Sequence, residues 1–190
     1  HVDDAVILAG GRGTRMLPGS NYVPKEIMPL VDTPIINHLI WEACKATVKR
    51  IHIVISPIKR DILTKIFSDN NKDRDNSIRP DLPRISLEPI PEGVEIIIHE
   101  QIEPGGVGDA ILLASKEING PFLVLLGDNL LINEHISPKK SGPKFASNSC
   151  KKLVDYYNRN GKPCAGILEV PDKEVHKYGI VRLDDDLIKE

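Results

Sequence analysis

The chain has 190 residues, with 25 Lys+Arg against 27 Asp+Glu and a formal net charge of −2. That length suits one domain, and 41% hydrophobic with 27% charged residues excludes wholesale disorder. The absence of a basic excess excludes a general nucleic-acid binder, and no apolar run approaches the ~18–20 residues that cross a bilayer. Runs such as Phe122–Leu126 are strand-sized, and no secretory signal precedes the first strand pattern. Neither nucleic acid nor membrane is therefore expected as a partner. Cys44, Cys150 and Cys164 are odd in number and lack zinc or redox spacing, so they read as reduced thiols of a cytoplasmic protein. The chain opens on His1 and stops at Glu190. Both ends read as cuts, and residues 1–190 are expected to form a single domain truncated at its C-terminal end.

Strand and helix patterns alternate along the chain. Ala5–Ala9 is a continuous apolar run, as in a strand buried on both faces. Thr33-Pro34 reads as an N-cap and first helical position. The following helix would place Ile35, Ile36, Leu39, Ile40, Ala43 and Cys44 on one face. Ile51–Ile55 is a second strand, and Lys59–Phe67 a second helix with Ile62, Leu63 and Ile66 inward. Residues 69–93, with Pro80, Pro83, Pro89 and Pro91, read as an irregular excursion. Val94–His99 is a third strand, Gly105–Lys116 a helix with Ala110, Leu113 and Ala114 inward, and Phe122–Leu126 a fourth strand. A polar loop over 138–149 leads to a helix over Cys150–Asn160, then strands over Pro163–Val170 and Tyr178–Leu183. This alternation predicts an α/β fold: a Rossmann-like, mostly parallel sheet with helices on both faces. Ligands in such sheets bind beyond the carboxyl ends of the strands.

The segment Leu8–Pro18 (LAGGRGTRMLP) follows the first strand. It is not a Walker A loop, and Met16 stands where a dinucleotide fingerprint needs its third glycine. Gly10, Gly11 and Gly13 allow the backbone to approach a ligand and turn several N–H groups toward it. Arg12, Arg15 and Lys25 add positive charge, and no acid occurs from Ala5 to Lys25. A polyphosphate suits such a loop; the alternative is a tight glycine turn with solvated arginines. The histidines His38, His52, His99, His135 and His176 show no ligand spacing, and His38 and His52 read as packing or surface residues.

Gly11–Pro18, Lys25, and the string Pro24-Lys25-Glu26 with Met28-Pro29-Leu30 resemble the sugar-phosphate nucleotidyltransferases, and within them the bacterial and archaeal UTP–glucose-1-phosphate uridylyltransferases. The resemblance implies a nucleotidyltransferase catalytic domain that moves a uridylyl group from UTP to glucose 1-phosphate, with Mg2+ as cofactor. Pyrophosphate and UDP-glucose would be the products. It implies nucleotide binding by Ala9, Gly10, Gly11, Gly13, Thr14, Glu26, Gln101 and Gly106. It also implies catalytic roles for Arg15, Lys25 and Asp128, with Asp128 the Mg2+ ligand, and sugar contacts from Gly179 and Glu169. Gln101 would read the nucleobase edge, Arg15 the departing phosphates and Lys25 the transferring or attacking phosphate. A homo-oligomer would be in keeping with the family. The family's later Glu-Lys-Pro motif and second acidic metal ligand have no counterpart before Glu190. A thymidylyltransferase or other sugar-1-phosphate nucleotidyltransferase, and a non-catalytic nucleotide-sensing subunit, remain the alternative readings.

Overall fold

The computed structural model describes residues 1–67, 90–132, 142–184 and 187–188. The expected excursion over 69–93 lies outside the described residues except for its last four positions, and the first four positions of the loop over 138–149 lie outside them too. Four strands, β1 (Asp4–Ala9), β4 (Arg50–Ile55), β5 (Glu95–Glu100) and β6 (Phe122–Leu126), form one parallel sheet in the order β5-β4-β1-β6. Between β1 and β4, a hairpin of β2 (Pro29–Leu30) and β3 (Thr33–Pro34) leads into helix α1 (Ile35–Lys45). Helices α2 (Arg60–Phe67), α3 (Gly106–Ser115) and α4 (Ser149–Asn160) follow β4, β5 and β6, and a small antiparallel pair, β7 (Leu183–Asp184) and β8 (Leu187–Ile188), comes last.

The alternation of side chains along a strand divides the sheet into two faces. Ala5, Ile7 and Ala9, with Ile51, Ile53 and Ile55, face the buried Ile36, Leu39, Ile40 and Ala43 of α1, Leu63 of α2, and Cys150 and Val154 of α4. Val6 and Val54 face Ala110 and Ala114 of α3 on the other side. Helices on both faces bury all of β1 but Leu8 and all of β4 but Arg50, which is why both strands are largely apolar. The α/β expectation therefore holds. Among the described residues no helix is long and apolar enough to cross a membrane.

The second face also carries a polar line. His52 Nε2–H donates to Asp4 Oδ1 (3.1 Å), whose other oxygen accepts from Arg50 (2.8 Å). His52 Nδ1 is in turn hydrogen-bonded to His99 Nε2 at 2.9 Å. A carboxylate only accepts, so the ring nitrogen facing Asp4 carries a proton. His38 and His52 are both buried packing residues.

Four local expectations are corrected. Thr33 and Pro34 do not open α1: they form β3 and pair with Leu30 and Pro29 across a tight turn in which Val31 has a φ of 63°. The helix begins at Ile35, whose N–H is taken by the Met28 carbonyl at 3.1 Å. Ile62 is exposed, and Leu63 is the buried residue of α2. Residues 163–170 and 178–182 are exposed, irregular chain rather than strands, because they pair with no neighbour among the described residues. A strand exists only through its ladder.

Candidate active site

In the sheet order, β1 has β4 and then β5 on one side and β6 on the other, so the topology reverses between β1 and β6. A crevice forms beyond the carboxyl ends at such a point. The register sets Leu8 beside Leu126, so the glycine loop after β1 and Gly127-Asp128 after β6 emerge side by side. Gly127 makes this approach possible. Its N–H donates to the Leu8 carbonyl at 2.9 Å, and a Cβ there would stand 2.5 Å from that same oxygen.

Gly13 has a φ of 69°, and the Ser20 hydroxyl donates to its carbonyl at 2.7 Å. This turns the chain into the 3-10 turn Thr14–Met16. A second such turn, Gly19–Asn21, follows, and Pro24 then leads into a third, Lys25–Ile27, that brings Lys25 back under the loop. A Cβ on Gly11 would lie 3.4 Å from Lys25 Nζ, and that nitrogen donates to Asp128 Oδ2 at 2.7 Å. The Lys25 side chain is 11% exposed and that of Asp128 53%. The two residues expected to act on phosphate and metal, 103 positions apart in sequence, thus meet at the loop.

Gln101 closes the other end. Its N–H donates to the Ile55 carbonyl at 2.8 Å, extending the sheet edge by one residue. Its amide nitrogen donates to Asp109 Oδ2 (2.6 Å) and to the Gly106 carbonyl (3.1 Å). A Cβ on Gly10 would meet Gln101 Oε1 at 3.3 Å. Ala9, Gly10, Gln101 and Gly106 are therefore one cluster, next to that of Gly11, Gly13, Lys25 and Asp128. Gly106 has a φ of 87°, a backbone state that favours glycine at the start of α3.

Other expected residues fall elsewhere. Glu26 is fully buried. Both of its carboxylate oxygens accept from Lys59 Nζ, at 3.0 and 2.9 Å, so it lies beneath the loop rather than on its open side. Thr14 and Arg15 lie in the first 3-10 turn, and the orientation of the Arg15 side chain lies outside what the structure describes. Glu169 and Gly179 sit in exposed chain after α4 and form no hydrogen bond to the loop cluster among the described residues. Sequence reasoning missed Lys59. The only available signal was Glu26, an acid inside a segment destined for burial, which requires a cation.

The described residues hold no group of three or more His, Cys, Asp or Glu side chains suited to a metal. Asp128 nonetheless fits one kind of ion. Mg2+ is commonly held by one or two carboxylates together with substrate phosphates and water. Asp128 is a half-exposed hard oxygen donor beside the glycine loop.

The sequence model of the nucleotidyl transferase family matches residues 4–189. The chain belongs to the nucleotidyl transferase family. Curated relatives of the chain include the UTP–glucose-1-phosphate uridylyltransferase of Staphylococcus epidermidis. It is 34% identical over 184 residues, covering 95% of this chain and 59% of the relative. The protein of the same name from Streptococcus pneumoniae is 33% identical over 183 residues, covering 95% and 58%. Among solved structures, a UDP-glucose pyrophosphorylase complexed with UDP-glucose superposes with a TM-score of 0.73 at 30% identity, covering 96% of this chain and 63% of that one. A UTP-bound UGPase from Acinetobacter baumannii gives 0.77 at 28% identity, covering 97% and 62%. The chain thus spans about three-fifths of the length of the relatives it matches.

Proposed function

We propose that the protein transfers a uridylyl group from UTP to glucose 1-phosphate, in the cytoplasm, giving UDP-glucose and pyrophosphate. The observation that carries this reading is the Lys25–Asp128 pair at 2.7 Å, set against the glycine loop at the sheet's reversal point. The names of the relatives supply the substrates. The loop amides would cradle the polyphosphate of UTP. Both Nε2 protons of Gln101 are taken by Asp109 and the Gly106 carbonyl, so its Oε1, beside Gly10, would accept from the imide N–H of a pyrimidine lying over Gly10 and Gly106. Lys25 would hold the transferring phosphate against the attacking phosphate oxygen of the sugar, and Arg15 the charge that collects on departing pyrophosphate. Glu169 and Gly179 are proposed for the sugar hydroxyls on the family resemblance alone. Asp128 would hold Mg2+, which when bound neutralises phosphate charge and makes phosphorus more electrophilic. Such transfers depend on positioning and charge neutralisation rather than on a covalent enzyme intermediate.

The test is pyrophosphate release by the protein expressed from its complete gene, with Mg2+ and glucose 1-phosphate, against UTP, dTTP, ATP and GTP. Release with UTP that disappears in Asp128→Ala is expected. Release chiefly with dTTP would overturn the nucleotide assignment and keep the mechanism. Nucleotide binding with no release from any of the four would overturn the enzyme reading in favour of a sensing subunit.

A further inference from the structure

Lys59 is the buried cation nearest the loop, and the mechanism above does not use it. It ends a single 3-10 turn, Pro57–Lys59, at the carboxyl end of β4. Its side chain is 7% exposed and its partner Glu26 is sealed completely. An ammonium has three protons, and here four acceptors surround it. They are the Ala9 carbonyl at 2.6 Å, the Gly11 carbonyl at 2.7 Å, and the two Glu26 oxygens at 3.0 and 2.9 Å. Two protons thus serve the carbonyls and the third is shared across the carboxylate. The formal charges of Lys59 and Glu26 cancel, so the pair contributes little long-range attraction to an anion above it. Its contribution is directional.

In a trans peptide the C=O and the following N–H point opposite ways. Drawing the Ala9 carbonyl down onto Lys59 therefore turns the Gly10 N–H upward. Drawing the Gly11 carbonyl down turns the Arg12 N–H upward. Among the described residues, none of the amides of Gly10 to Gly13 donates to another backbone carbonyl. Without a tether, a run with three glycines in four positions would spread over many backbone states.

We propose that Lys59 is a positioning residue that pins the Ala9 and Gly11 carbonyls from below, so that the loop presents its amides to nucleotide phosphates, with Glu26 serving to hold the ammonium in place. This rests on the reading that the loop binds nucleotide. The ammonium's point charge is essential to the arrangement, because a planar guanidinium cannot place its protons on two carbonyls and a carboxylate around one atom.

Two variants of the full protein test it: Lys59→Met with Glu26→Gln, which removes both charges together, and Lys59→Arg, which keeps the cation. Each is first checked for cooperative unfolding. Binding of UTP with Mg2+ is then measured by calorimetry, and amide hydrogen exchange is followed over residues 9–14. Both variants are expected to bind UTP at least about tenfold more weakly, equivalent to about 1.4 kcal/mol. Exchange should rise at the loop and stay unchanged in the core of β1, and KM for glucose 1-phosphate should not move. Wild-type affinity and wild-type loop exchange in the folded variants would overturn the role of Lys59. If the unsubstituted protein binds no UTP, the nucleotide reading fails, and loop exchange still decides whether Lys59 orders the loop.

Discussion

Gly127→Ala should damage the molecule at its most crowded junction. The new Cβ would lie 2.5 Å from the Leu8 carbonyl oxygen and 3.2 Å from both Leu8 C and Ala9 Cα, all of them backbone atoms that cannot rotate away. Carbon–oxygen contacts settle at about 3.3–3.6 Å, so the ends of β1 and β6 must separate by roughly 0.8 Å. The Gly127 N–H bond to the same oxygen, now 2.9 Å, lengthens with that movement. Overpacking costs about 1–3 kcal/mol, and a weakened hydrogen bond adds about 0.5–1.5 kcal/mol. Urea denaturation should therefore report a loss of about 2–4 kcal/mol. The displacement also carries Asp128 away from Lys25 and the loop. A misplacement of about 1 Å can cost on the order of 10² in rate, so pyrophosphate release by the folded variant should fall by more than tenfold. Stability within about 0.5 kcal/mol of wild type together with full turnover would refute the claim that Gly127 sets the spacing of the site.

Asp128→Asn keeps the shape of the side chain and removes its charge; turnover should fall by about 10²–10³ while the fold is retained, by comparison with other preorganised electrostatic groups, as read by pyrophosphate release and circular dichroism. Acid should weaken the fold through His99, which burial and the neighbouring His52 ring hold below its ordinary value of 6.5, partly opposed by Glu117. The unfolded chain then binds the proton first, so His99's contribution is intact above pH 6.5 and is lost as pH falls below it; denaturation midpoints from pH 7.5 to 5 should drop, and less steeply in His99→Gln. Thiol titration should find one fast cysteine in the native protein, the exposed Cys164. Burial pushes Cys44 up to about 11 and, with Glu42 alongside, Cys150 higher still, so both should react only on unfolding.

Much of the sheet was legible because its central strands are buried on both faces. Ala5–Ala9 and Ile51–Ile55 could be read as strands from composition alone, and Phe122–Leu126 coincides with β6. The same locality explains the misreadings. Residues 163–170 and 178–182 have strand-like composition, but a strand is decided by a partner that no short window contains. Thr33-Pro34 satisfies the chemistry of a helix start equally well as the return strand of a hairpin, and the choice is made by Leu30, across the turn. Within the site, the loop and Lys25 were legible from their glycines and positive charge, Asp128 came from the family resemblance, and the fold brings them together. Glu26 and Lys59 show the limit. Whether a charged side chain faces a ligand or the interior depends on what packs over it, and Lys59 comes from a different strand end, 33 residues away.

The central claim is that the loop after β1 holds the phosphates of UTP. Backbone amide NMR of the full protein, titrated with UTP in the presence of Mg2+, tests it most directly. The account predicts that the largest shifts fall on Gly10, Gly11, Arg12 and Gly13, with a second group at Gln101 and Gly106 that follows the base. Saturable UTP binding that leaves the Gly10–Gly13 amides unmoved would contradict it.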